Sequence, residues 1–167
     1  MISTRLGRAR SVIATALLGT LVAVGCTAPP PTAPAPVTAP LAGAVTGTGT
    51  HLGDDCPVGQ RFLRRLELRV DAPTPSELVV EVCQVETTAM GGAGARGGFR
   101  LTTPDGEVRG TATGSWTWHR NDILRVELRV STAQGALGQM YGSLELLAEV
   151  ELGDQPAPVT GTLTALT

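Results

Sequence analysis

The sequence predicts an all-β domain, an antiparallel barrel of seven or eight strands, with a β-sandwich as the alternative. Short stretches of alternating apolar and polar residues follow one another from residue 43 onward. Turn sequences such as Thr103-Pro-Asp-Gly-Glu107 separate these stretches, which favours antiparallel hairpins. Gly110, Ala112 and Gly114 share one strand face. Because glycine permits strong coiling of a strand, these small residues favour a barrel.

Alternation of apolar and polar residues marks each predicted strand and starts at Gly43. In the clearest case Leu66, Leu68 and Val70 face one way, and the charged residues between them face the other. A nearly continuous, β-branched run predicts a more buried strand at residues 77–85. The other predicted strands lie at residues 99–102, 108–118, 124–131, 144–152 and 159–166.

Two segments are compatible with more than one conformation. Residues 144–152 contain Leu-Glu-Leu-Leu-Ala-Glu, which also suits a helix, but the flanking Tyr-Gly-Ser and Gly-Asp sequences favour a strand. The glycine-rich segment Gly91–Gly98 lacks the strand-to-helix setting of a phosphate loop. We expect this segment to be a flexible hairpin loop.

The first 25 residues have the parts of a secretory signal peptide. A segment with three arginines precedes an apolar run at residues 11–24, which is too short to span a membrane. Ala23-Val24-Gly25-Cys26 then resembles the lipobox of bacterial lipoproteins, with alanine where leucine is usual. The resemblance implies cleavage before Cys26 and attachment of acyl chains to this residue. The alternative is a plain secretory signal with an incidental cysteine.

Residues 26–42 contain the cysteine and a linker rich in proline and alanine. Proline favours the extended polyproline II conformation, so the linker would hold the next domain clear of a membrane surface. Two acyl chains would give stable anchoring. We therefore expect a protein held by lipid on the extracytoplasmic side of the cell membrane, with a signal at residues 1–25 and a barrel domain at residues 43–167.

Charge and composition limit the classes of partner. After Cys26 the chain carries ten arginines against fifteen acidic residues, a net side-chain charge of −5. An acidic domain is a poor candidate for binding nucleic acid or anionic lipid by charge. The predicted partners are therefore the membrane, through the lipid anchor, and a ligand or protein of the cell envelope.

Two cysteines remain in the predicted domain, Cys56 and Cys83. An even pair in an exported domain predicts a disulfide. The alternative is a metal site formed by His51, Asp54, Asp55 and Cys56. However, Gly-Asp-Asp before a proline is also an ordinary turn sequence, and we predict no metal and no cofactor.

Several glycine- and threonine-rich segments are similar to secreted bacterial relatives of the allene oxide cyclase and dirigent β-barrels. These segments begin at Gly98, Gly110, Tyr141 and Gly161, and the resemblance covers residues 98–164. It implies eight antiparallel strands joined by hairpins. The plant enzyme's catalytic residues cannot be placed on this sequence, so the resemblance carries no activity.

Trp116 and Trp118 are the best candidates for a ligand site. Residues two apart in a strand point to the same side, so both indoles face the same way. Tyr141 and Phe99 could join them, and the four aromatic side chains would then line a ligand cavity. The alternative is that the indoles fill the core of the barrel.

The sequence contains no catalytic motif of the Gly-x-Ser-x-Gly, His-Glu-x-x-His or phosphate-loop type. Its two histidines, His51 and His119, lack catalytic or metal-site spacing. We therefore predict a non-catalytic binding module for a small apolar ligand or an envelope protein. The alternatives are a barrel isomerase or cyclase, and an inhibitor that docks residues 90–98 into the cleft of an envelope hydrolase.

Overall fold

The alternating segments form eight strands in the computed structural model, which describes residues 41–71, 74–88, 91–118, 121–151 and 156–166, and only the backbone of residues 86–88. The predicted signal, the predicted lipidation site Cys26, most of the predicted linker and His119 lie outside these ranges. The strands are β1 (Gly43–His51), β2 (Gln60–Asp71), β3 (Ser76–Thr88), β4 (Gly92–Thr103), β5 (Gly106–Trp118), β6 (Asp122–Gly135), β7 (Ser143–Val150) and β8 (Ala157–Leu166).

The eight strands close into one antiparallel barrel. Each strand pairs with the next along the chain, and β8 pairs with β1 to complete the ring. At the closing seam, Val45 of β1 is opposite Gly161 of β8. The predicted barrel is confirmed with eight strands, and the sandwich alternative is wrong because closure leaves one continuous sheet. The prediction of a strand within residues 144–152 is also confirmed, by β7.

Aliphatic side chains fill the interior of the barrel. Alternate residues of each strand point inward, and most inward positions hold leucine or valine. An eight-stranded barrel has a lumen that side chains can fill. The largest side chains with less than 2% exposure are Trp116, Leu66, Leu78, Leu101, Leu124, Leu128, Leu144, Leu146, Leu163, Val45, Val70 and Val80.

The glycine-rich segment predicted to be a flexible loop is a strand, so that prediction is wrong. Most of Gly91–Gly98 lies in β4, which pairs with both β3 and β5. Ala93 and Ala95 are buried in this part of the strand. Backbone pairing on both sides stabilises the extended conformation despite the poor strand propensity of glycine.

Gly110 of β5 shows why the barrel needs a residue without a side chain at this inward position. A Cβ atom there would lie 1.8 Å from the carbonyl oxygen of Arg129 and 2.7 Å from Cε1 of Phe99. Phe99 is directly opposite Gly110, so its ring covers the space that a side chain would otherwise use. Close approach of β5 and β6 therefore depends on glycine at this point.

The predicted disulfide is present and ties the β1–β2 connection to the outer wall. Cys56 is bonded to Cys83 of β3, with a Cα–Cα distance of 6.0 Å. Cys83 lies opposite the exposed Arg96 and alternates with the inward Val82, so the bond lies outside the lumen. Because Cys56 has no free thiolate, the alternative of a metal site that includes this cysteine is wrong.

Loss of the disulfide should destabilise the barrel without changing its fold. For the C56S/C83S variant we expect the free energy of unfolding to fall by about 3–4 kcal/mol, because the unfolded chain regains the entropy of a loop of 27 residues. Urea unfolding followed by circular dichroism would measure the change. Added reductant should destabilise the wild type and leave the variant unaffected. A variant as stable as the wild type would contradict the prediction.

A methyl group at Gly110 should cost more stability than one at Gly98 on the neighbouring strand. G110A places Cβ against the backbone of Arg129, and overpacking of this kind costs about 1–3 kcal/mol. G98A is the matched control, since its Cβ would meet only the carbonyl oxygen of Gly110 at 3.4 Å. We expect G98A to change stability by less than about 0.5 kcal/mol. Equal urea midpoints for the two variants would refute this account.

Candidate functional site

One end of the barrel contains polar side chains in an otherwise aliphatic interior. At this end β5 finishes with Trp116 and Trp118, and β6 begins at Asp122. Arg64 comes from the early part of β2 and has its guanidinium over the ring of Trp116. We refer to Arg64, Trp116 and Asp122 as the Arg–Trp–Asp cluster.

Trp116 is the most deeply buried residue of the cluster, with 1% of its surface exposed. Its indole nitrogen Nε1 is buried and has no hydrogen-bond acceptor. Cζ of Arg64 lies 5.5 Å from the ring centroid, which is within cation–π range. Nε of Arg64 is likewise buried without an acceptor. The cluster therefore holds two N–H donors that no described group satisfies.

Asp122 is a buried carboxyl group beside these donors, with 7% of its surface exposed. Burial raises its pKa, and the charge of Arg64 and the indole N–H of Trp116 oppose that effect. The indole N–H of Trp116 lowers the pKa of Asp122, yet Nε1 has no acceptor with the geometry of a normal hydrogen bond. No ion pair of 4.0 Å or less joins Asp122 to Arg64 among the described residues.

The backbone around β2 explains how Arg64 reaches the lumen. Arg64 lies opposite the inward Val82 and two residues before the buried Leu66, so alternation directs it inward. A register shift between Arg61 and Arg64 precedes it, and Phe62 has a φ of 54°. This bulge re-aims the start of β2.

The disulfide-bonded connection holds the bulge in place. Leu52 donates a backbone hydrogen bond to the carbonyl of Leu63, and Leu63 donates one to Gly53. The backbone N–H of Phe62 donates to Oδ1 of Asp54 at 3.0 Å. The connection therefore fixes the backbone immediately before Arg64.

The cluster has the energetic character of a functional site. Each buried donor left without an acceptor costs about 1–3 kcal/mol, and a buried carboxyl group adds a desolvation cost. Apolar residues of similar volume would make this end of the barrel more stable. Buried polar groups with a perturbed pKa are concentrated at functional sites.

The structure does not bring the four predicted aromatic residues together. Phe99 and Trp116 are buried, and Trp118 packs against the core while partly exposed. Tyr141 is 54% exposed and precedes β7, at the opposite end of the barrel from Trp118. The prediction of an aromatic-lined cavity that includes Tyr141 is therefore wrong, because the two ends of antiparallel strands separate these residues.

Sequence reasoning missed Arg64 and Asp122. Arg64 continues the inward series Leu66, Leu68 and Val70, so an arginine in phase with buried leucines was the available signal. Asp122 continues the face of the buried Leu124 in the same way, although its position after Arg-Asn made it look like a turn residue.

The outer wall over β1 to β5 contains shallow grooves whose lining includes charged residues. Their volumes are about 370, 430 and 500 Å³. Arg65 forms ion pairs with two glutamates of this wall. Its Nε lies 3.0 Å from Oε1 of Glu67, without the geometry of a hydrogen bond, and its Nη1 lies 3.6 Å from Oε1 of Glu81. Because these charges are partly exposed to solvent, which screens their interactions, the grooves are a weaker candidate than the Arg–Trp–Asp cluster.

The described ranges contain neither a candidate metal site nor a candidate membrane-spanning helix. In those ranges, no three His, Cys, Asp or Glu side chains converge in a manner suited to a metal ion. The same ranges contain no helix of the length and hydropathy needed to cross a bilayer. The comparisons found no match to a protein-family model, a curated protein or a solved structure.

Asp122 should make the barrel less stable when it is ionised. Because burial raises its folded pKa, the unfolded chain binds the proton less tightly, and ionisation favours unfolding. D122N should therefore be more stable than the wild type at neutral pH. The difference should shrink as the pH falls through the folded pKa toward the unfolded value of about 3.9. Thermal unfolding at several pH values would measure it.

D55N, at an exposed position, is the control and should be as stable as the wild type at neutral pH. A D122N variant that is less stable than the wild type at neutral pH would show that Arg64 and Trp116 more than offset the burial of the carboxylate.

Proposed function

We propose that the protein is a lipid-anchored protein of the bacterial cell envelope whose barrel is a non-catalytic binding module. In this proposal the chain is cleaved before Cys26, acyl chains hold it at the extracytoplasmic face of the cell membrane, and a ligand binds at the Arg–Trp–Asp cluster. The observation that carries the binding function is the pair of buried, unsatisfied donors on Arg64 and Trp116.

Export is supported by two independent features. The sequence up to Cys26 has the order of a lipoprotein signal: arginines, an apolar run, and small residues before the cysteine. The Cys56–Cys83 disulfide is a feature typical of oxidising compartments outside the cytoplasm. The proline-rich linker between them would place the barrel away from the lipid surface.

Binding has more support than the two alternative functions. An isomerase of the kind considered from the sequence needs a hollow apolar interior, whereas leucine and valine side chains fill most of this lumen. A hydrolase inhibitor that docks residues 90–98 needs a protruding loop, whereas most of that segment is paired strand. Because the cluster presents buried N–H donors, it favours a ligand with a polar group over the purely apolar ligand that the sequence predicted.

Intact-mass spectrometry of the protein extracted from its native membrane tests the anchor. We expect the mass of the chain from Cys26 onward plus acyl chains, and a gain of about two daltons on reduction of the disulfide. C26A should accumulate as the unprocessed, unacylated precursor, because its acylation site is gone. C56S is the matched control and should keep the acyl mass. An unacylated mass for the wild type would overturn the anchor and make this a freely secreted domain.

Native mass spectrometry of the same extract tests the binding function. A bound small molecule in the wild type that is lost from a variant of the cluster would support binding at this end of the barrel. Absence of any bound molecule, together with no partner captured by crosslinking from Arg64, would contradict the binding function without affecting the anchor.

A further inference from the structure

The side chains of the Arg–Trp–Asp cluster divide into hydrogen-bond donors and a hydrogen-bond acceptor. Nε of Arg64 and Nε1 of Trp116 are donors only, and both are buried without an acceptor. The carboxylate of Asp122 is an acceptor, and the charge of Arg64 and the indole N–H of Trp116 both lower its pKa. A ligand that satisfies the cluster must therefore present an acceptor to Arg64 and Trp116, and a donor to Asp122.

We propose that the cluster binds an amide group of a small molecule or chain end. The carbonyl oxygen of the amide accepts hydrogen bonds from Nε of Arg64 and Nε1 of Trp116, and the amide N–H donates to the carboxylate of Asp122. This inference rests on the proposed binding function, to which it adds the chemical class of the ligand.

The balance of charge favours a neutral ligand. Arg64 and Asp122 carry opposite charges, so the cluster as a whole needs no counterion. A carboxylate ligand would place a second negative charge beside Asp122 and would supply no donor to it. A protonated amine would place a second positive charge beside Arg64 and would supply no acceptor to it. An amide offers both an acceptor and a donor without net charge.

The surroundings of the cluster are small and apolar. Ala93 is directly opposite Trp116, and Val150 is directly opposite Asp122. Trp118 faces Asp122 from β5 and is only partly buried, so it provides an apolar surface for the rest of the ligand. Arg64 is also partly exposed, which connects the cluster to solvent.

The indole N–H of Trp116 gives a direct readout of binding. The chain contains two tryptophans, so a ¹H–¹⁵N spectrum of the processed protein shows two indole signals. Benzamide is the probe, and we expect it to shift the Trp116 indole signal in a saturable manner. A fragment of this size should bind with a dissociation constant on the order of 1–10 mM.

Two molecules of similar size test the roles of the partners. N,N-dimethylbenzamide keeps the carbonyl but has no N–H for Asp122, and benzoate carries a negative charge. We expect each to bind about tenfold more weakly than benzamide, or not at all. Equal or tighter binding of benzoate would overturn the assignment of a neutral amide.

Variants test which side chains form the site. R64M removes the guanidinium but retains an apolar side chain, and should weaken benzamide binding by about tenfold or more. R69M, at an exposed position of the same strand, is the matched control and should bind as the wild type does. If R64M does not fold, D122L serves as the second variant, with the same expected loss.

The outcomes separate this inference from the proposed function. Saturable benzamide binding that is lost in R64M supports the amide site. Unchanged Trp116 signals with all three probes overturn it, and a copurifying ligand without an amide would then leave the binding function intact. A lipid-free native mass contradicts the anchor alone.

Discussion

Closure of the sheet between β1 and β8 is the constraint on which the rest of the structure depends. The pairing of residues 43–49 with residues 157–163 completes the ring and leaves no unpaired sheet edge. Closure also fixes the width of the lumen, so inward side chains must fill a set volume without collision. Leucine and valine fill most of it, and glycine at residue 110 admits the ring of Phe99. The disulfide reinforces this barrel from outside its wall.

A filled lumen limits where a ligand can bind. Side chains from all eight strands contribute to the buried cluster, so the middle of the barrel functions as a core. The charged exceptions are at the end where β5 finishes and β6 begins, where the inward positions hold Arg64 and Asp122, and Ser76 at the start of β3 is a further buried polar residue. Because this lumen is filled, the places left for a ligand are the ends of the barrel and its outer wall. At the outer wall the charges are largely paired and exposed, whereas at this end the Asp122 side chain is buried and Nε of Arg64 is buried without an acceptor.

The strand pattern could be predicted from the sequence because a barrel wall has one apolar and one polar face. Leu66, Leu68 and Val70 show this alternation without ambiguity. The start of β4 was missed because glycine and alanine carry little strand propensity, and pairing with two neighbours determines their conformation. The site was missed because arginine and aspartate are usually at the surface, although strand alternation places Arg64 and Asp122 in phase with buried leucines. The tryptophans were identified correctly as inward residues, although Trp116 is part of both the core and the site.

The position of the cluster links the disulfide to function. Cys56 lies in the connection that hydrogen-bonds to the backbone of Phe62 and Leu63, and Arg64 follows directly. A bond that only stabilised the barrel could join any two strands, but this one fixes the segment that carries the guanidinium over Trp116. Holding a donor in place before the ligand arrives lowers the entropy lost on binding. In the proposed binding function, a ligand that satisfies Arg64, Trp116 and Asp122 would offset the free-energy cost of burying them, which is the arrangement expected of a preorganised binding site.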